Sequence, residues 1–107
     1  VTLSVDRLTF ISPIQIGDHV ILRASVNYTG TSSMEIGVQV IKENPYKQER
    51  VRATTAYLTF VALDENKKPV PVPTIIPETE DEIRRFNNAK IRQQAMKELK
   101  GKLKMKV

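Results

Sequence analysis

Three stretches of period-two alternation and a fourth that is apolar on both faces precede a single helical segment, and that order most narrows what this chain can fold into. In 1–11, Val1, Leu3 and Val5 alternate with Thr2, Ser4 and Asp6. In 19–29, Val20, Leu22, Ala24, Val26 and Tyr28 oppose Arg23, Ser25 and Asn27, and in 33–43 Met34, Ile36, Val38 and Val40 oppose Glu35, Gly37 and Gln39. A period of two is that of a strand with one dry face. The fourth stretch, 50–63, is apolar on both faces, with Val51, Ala53, Tyr57 and Val61 on one and Ala56, Leu58, Phe60 and Ala62 on the other. Such a strand belongs inside a sheet or at an interface. Turn chemistry separates the strands at Ser12-Pro13 and Gly17-Asp18, at Gly30-Thr31-Ser32, at Asn44-Pro45-Tyr46-Lys47 and over 64–68. Pro69-Val70-Pro71-Val72-Pro73 is then held extended, because each proline restrains its own φ and its neighbour's backbone.

After Pro77 the period changes. Glu78, Glu80, Asp81 and Glu82 place negative charge where a helix N-terminus favours it, and Thr79 with Glu82 has the spacing of a capping box. A helix is therefore predicted over 78–100, with a narrow stripe of Ile83, Phe86, Ala89, Met96 and Leu99, and the lysine-rich 100–107 is expected to fray. The fold class is α+β: an antiparallel sheet portion over 1–77, and a basic helix and tail over 78–107. An apolar sheet face must pack on something. The late helix is charged and its stripe is thin, so the covering element is expected from outside this stretch of chain or from another subunit. The alternative is that 83–99 folds back and covers the face alone. Val1 already sits in a strand with no initiator methionine before it, which reads as a fragment or a processed chain.

Several chemistries are poorly supplied. The chain has no cysteine, so thiol nucleophiles, disulfides and thiolate zinc sites are excluded. Its one histidine, His19, follows Gly17-Asp18 at a strand start, where a surface hydrogen-bonding role outweighs a catalytic one. Scattered carboxylates with a single histidine do not make a metal centre, so none is expected. No apolar run is long enough to span a membrane. Charge is uneven: residues 84–107 hold nine Lys or Arg against one Glu, whereas 1–77 hold eight against seven acids. A basic helix of this kind suits an anionic partner, or equally a solvated surface. Aromatic residues are 6% of the chain, few for stacking bases, so nucleic acid is not expected as a partner. Gly30-Thr31-Ser32-Ser33 is a hairpin turn whose backbone and hydroxyls could also receive phosphate.

Longer segments carry a resemblance. Residues 11–18 (ISPIQIGD), 26–34 (VNYTGTSSM), 58–66 (LTFVALDEN), 69–73 (PVPVP) and 76–86 (IPETEDEIRRF), in that order, resemble the hotdog-fold acyl-CoA thioesterases. The resemblance implies a long antiparallel sheet wrapped around a central helix, dimers that form trimers of dimers, and hydrolysis of fatty acyl-CoA to free acid and CoA. It implies a cytoplasmic enzyme of fatty acid metabolism with no cofactor, the CoA thioester being substrate and CoA product. In this family the central helix and its preceding strand carry the catalytic groups, and nothing in this chain matches that motif. No catalytic residue is therefore assigned. Towards CoA, the resemblance implies Gly30, Thr31, Ser32 and Ser33 near the nucleotide, with Arg84 and Arg85 meeting its phosphates. The competing readings are a noncatalytic hotdog-like module for ligand binding or assembly and, behind it, a basic nucleic-acid-binding β domain.

Overall fold

In a computed structural model, which describes residues 1–5, 8 and 10–103, four antiparallel strands form one sheet and a helix lies across it. The strands are β1 (Thr2–Val5), β2 (His19–Thr29), β3 (Ser33–Asn44) and β4 (Glu49–Val61), in the order β1-β4-β3-β2, followed by α1 (Glu80–Leu103). The two-face strand thus lies inside the sheet, between β1 and β3. The first strand is shorter than its alternation suggests; Asp6, Arg7 and Thr9 of that expectation lie outside the described residues, as do 104–107 of the tail.

Local chemistry sets the turns. The Asn44 side-chain oxygen accepts from the N–H groups of Tyr46 and Lys47, and Gln48 closes the turn at φ 53° by donating to the Asn44 carbonyl. After β4 the Asp64 carboxylate does the same for Asn66 and Lys68. The proline run is extended and tied at alternate residues: Val70 N–H donates to Ala62 O and Val72 N–H to Thr31 O. In an extended chain alternate N–H groups point the same way, so the prolines occupy the positions whose missing donors face outward. At the helix start Thr79 Oγ1 accepts from Glu82 N–H at 3.1 Å, and the Glu82 carboxylate accepts from Glu78 N–H at 3.2 Å. That is a capping box reaching one residue further back than the usual form.

Bulges in β2 and β4 alter the faces read from alternation. In β2 the pairing steps from Val26↔Ile36 to Tyr28↔Glu35, so Asn27 is the extra residue. Directly paired residues share a face. Tyr28 therefore lies beside Glu35, not beside Val26 and Ala24. In β4 the register steps from Val40↔Thr54 to Ile41↔Arg52, with Ala53 extra, and Lys42↔Val51 follows. Val51 thus joins the face of Ala56 and Leu58, not that of Tyr57. The Ala53 carbonyl accepts from Ile11 N–H at 2.7 Å, so the bulge also seats the incoming loop.

The sheet consequently has one apolar and one polar face. The apolar face is built of cross-strand rows, among them Leu22–Val40–Thr54, Ala24–Val38–Ala56 and Val26–Ile36–Leu58. No described helix or strand covers it: Leu22 is 65% exposed, although Thr54, near the incoming loop, is buried. Helix α1 does not fold back over this face; it docks on the other one. There Phe86 packs on Tyr28 with ring centroids 5.1 Å apart, Ala89 is fully buried, and Arg92 and Gln93 reach Glu35. Ile83 and Leu99 of the predicted stripe remain exposed, because the docked face of α1 is largely polar.

Candidate functional site: an arginine-lined cleft

A cleft of about 500 Å³ opens between the polar sheet face and α1. Its floor is laid down in rows. Arg23, Gln39 and Thr55 are paired across β2, β3 and β4; Ser25, Gly37 and Tyr57 form the next row, and Arg52 follows beyond Ile41. Gly37 keeps the centre low, since a Cβ there would stand 2.5 Å from the Asn27 amide nitrogen. The roof comes from Arg84, Arg85, Asn88 and Arg92. Arg84, Asn88 and Arg92 recur every four residues and therefore share one side of the helix.

Glu35 anchors the inner wall. Its side chain is fully buried, and its carboxylate accepts from Arg92 Nη2 at 2.6 Å and Nε at 3.2 Å, in the two-pronged geometry that guanidinium favours. Gln93 Nε2 and Asn27 Nδ2 contribute longer bonds at 3.4 Å each. The Arg92 guanidinium also lies 3.7 Å from the Tyr57 ring centroid. This network joins α1 to the centre of the sheet.

The sequence-derived site residues divide between two places. Arg84 and Arg85 line the cleft, and Arg84 makes an exposed ion pair with Asp81 at 3.4 Å. The turn 30–33 lies at the β2–β3 hairpin instead, away from the cleft lining. There Gly30 N–H donates to Ser33 O, while the Thr31 and Ser32 carbonyls accept from Val72 and Ala62. Sequence reasoning missed Arg23, Arg52 and Arg92: alternation placed Arg23 on the polar side of its strand and singled out neither of the others. A usable signal for Arg92 was the four-residue spacing from Arg84 through Asn88. Nothing local marks Arg23 and Arg52 as neighbours, since only the three-strand register joins them. Among the described residues there is no group of His, Cys, Asp and Glu able to hold a metal ion. No described helix is long and apolar enough to cross a membrane.

Comparisons with known proteins agree with this architecture. The profile of the thioesterase superfamily matches residues 1–49. An uncharacterized acyl-CoA thioester hydrolase of Bacillus subtilis is 54% identical over 89 residues, which is 83% of this chain and 52% of that protein. The cytosolic acyl coenzyme A thioester hydrolase of Rattus norvegicus is 41% identical over 91% of this chain and 26% of its own length. The crystal structure of an acyl-CoA hydrolase from Bacillus cereus superposes with a TM-score of 0.90 at 38% identity, over 97% of this chain and 63% of that one. The chain thus spans about half the length, or less, of these curated relatives. At these identities, and with the sheet-plus-helix fold in common, the chain belongs to the hotdog-fold acyl-CoA thioesterase family.

Proposed function

We propose that this chain is the sheet-and-helix part of an acyl-CoA thioesterase, which hydrolyses a fatty acyl-CoA to the free acid and CoA. The observation that carries this reading is the likeness, at 38% identity and a TM-score of 0.86, to a Staphylococcus aureus acyl-CoA hydrolase solved in complex with butyryl-CoA and CoA. The wrapper geometry supports it. Leu22, Val38, Ala56 and Leu58 offer a continuous apolar surface to a covering helix and an acyl chain. The basic cleft lies on the opposite face, and Arg84 and Arg85 are read as donors to the CoA phosphates, with Gly30, Thr31, Ser32 and Ser33 nearer the nucleotide.

Hydrolysis needs a carboxylate to activate water and donors to hold the developing oxyanion. Glu35 is the one buried carboxylate among the described residues, and Arg92 holds both of its oxygens. Held in this way it serves the structure, and no catalytic base is assigned on this chain. The same fact favours the second reading, a noncatalytic ligand-binding or assembly module. Self-association as dimers and trimers of dimers is supported by the hexameric state named for three structural neighbours. A cytoplasmic location is supported by the cytosolic relatives.

The test is turnover of acyl-CoA by the full-length gene product, followed with a thiol reagent. Arg84→Ala combined with Arg85→Ala is expected to raise KM more than it lowers kcat. An unchanged KM would return both arginines to the solvated surface, and absent turnover would favour the binding module.

A further inference from the structure

We propose that the cleft between α1 and the sheet is a polyphosphate site in which Arg23 and Arg52 of the strands oppose Arg84 and Arg85 of the helix. It would take an organic ligand bearing at least a diphosphate. The proposal extends the reading of Arg84 and Arg85 above, but rests on the cleft itself, which holds whether or not the whole protein hydrolyses thioesters.

Five arginines line this one cavity and no carboxylate does. Arg92 is neutralised by Glu35 behind the wall, and Arg84 has an exposed partner in Asp81. Arg23, Arg52 and Arg85 have no carboxylate partner among the described residues. A sheet face and a helix face that bring like charges together work against their own docking unless an anion is shared between them. Guanidinium groups on opposite walls suit an anion with two separated charged centres, since each phosphate can take a two-pronged contact. Ser25, Gln39 and Thr55 between them supply neutral hydrogen-bonding groups along the floor. A cavity of about 500 Å³ is roomy for inorganic phosphate and comparable with sites that take a nucleotide-sized ligand.

Two sources supply such a diphosphate, CoA itself and a free nucleotide. Calorimetric titration of the full-length protein with ADP, with adenosine 3′,5′-bisphosphate and with CoA separates them. Binding of ADP that weakens with salt is expected, together with a rise in melting temperature, because the ligand bridges helix and sheet. Arg23→Gln combined with Arg52→Gln is expected to weaken ADP binding at least about tenfold. Lys97→Ala combined with Lys100→Ala, which removes the same charge from the exposed end of α1, is expected to leave it within about twofold, the small change that screened distant charges produce. Thr55→Glu, which puts a carboxylate on the floor, is a second route to the same loss. If CoA and ADP compete, the cleft serves the substrate; if both bind at once, it serves a separate nucleotide. Equal weakening by the two double substitutions, or no binding of any of the three probes, overturns the proposal. Because binding is read directly, a protein without thioesterase activity still tests it.

Discussion

Replacing Arg92 by alanine isolates the interaction that fastens the helix to the sheet. Arg92 is 28% exposed at its side chain and Glu35 is 0%, so the substitution strands a carboxylate with no access to water. Removing one partner of a buried pair costs about 3–5 kcal/mol. The remaining Gln93 and Asn27 bonds, at 3.4 Å, recover little of this. Loss of the contact with Tyr57 adds about 0.5–2 kcal/mol. A destabilisation of about 4–6 kcal/mol is therefore expected, against about 5–15 kcal/mol for a whole domain. The assay is urea unfolding at fixed protein concentration, followed by far-UV circular dichroism because the chain has no tryptophan. The double substitution Glu35→Leu with Arg92→Met should cost less than Arg92→Ala alone, since neither charge is then left buried. A loss under about 0.5 kcal/mol for Arg92→Ala, the range of an ordinary surface substitution, would refute the account. So would a double variant less stable than the single one.

Three further outcomes are expected. Thr79→Ala should cost about 1 kcal/mol in the same unfolding assay by removing the acceptor for Glu82 N–H. Gly37→Ala should destabilise by about 1–3 kcal/mol, because the new Cβ meets the Asn27 amide at 2.5 Å, and adding Asn27→Ser should recover part of the loss. Residues 1–107 purified alone should self-associate in sedimentation and bind an apolar dye, both suppressed by Leu22→Lys, since Leu22 is 65% exposed on the open face. A compact monomer that ignores the dye would contradict the open-face description.

The ordered alternation, the turn residues and the capping pair were legible in the chain because each depends on neighbours within a few residues. Thr79 needs only Glu82, Asn44 only the two N–H groups after Pro45, and the valines between prolines only their own extended geometry. Two of the five cleft arginines, Arg84 and Arg85, were reached from the sequence, through the family resemblance at the start of a basic helix.

What the sequence determined by itself was four strands, one helix and an apolar face too large for that helix to cover. The tertiary structure decided which residues share a face. Single extra residues at Asn27 and Ala53 reverse the alternation, so Tyr28 turns under the helix and Val51 turns away from it. It also decided that α1 docks on the polar face, because Glu35 lies 57 residues before Arg92 and their bond exists only once the sheet is formed. The cleft follows from both decisions. Arg23 and Arg52 meet across three paired strands, and no local rule of spacing can report a neighbour that only strand register creates.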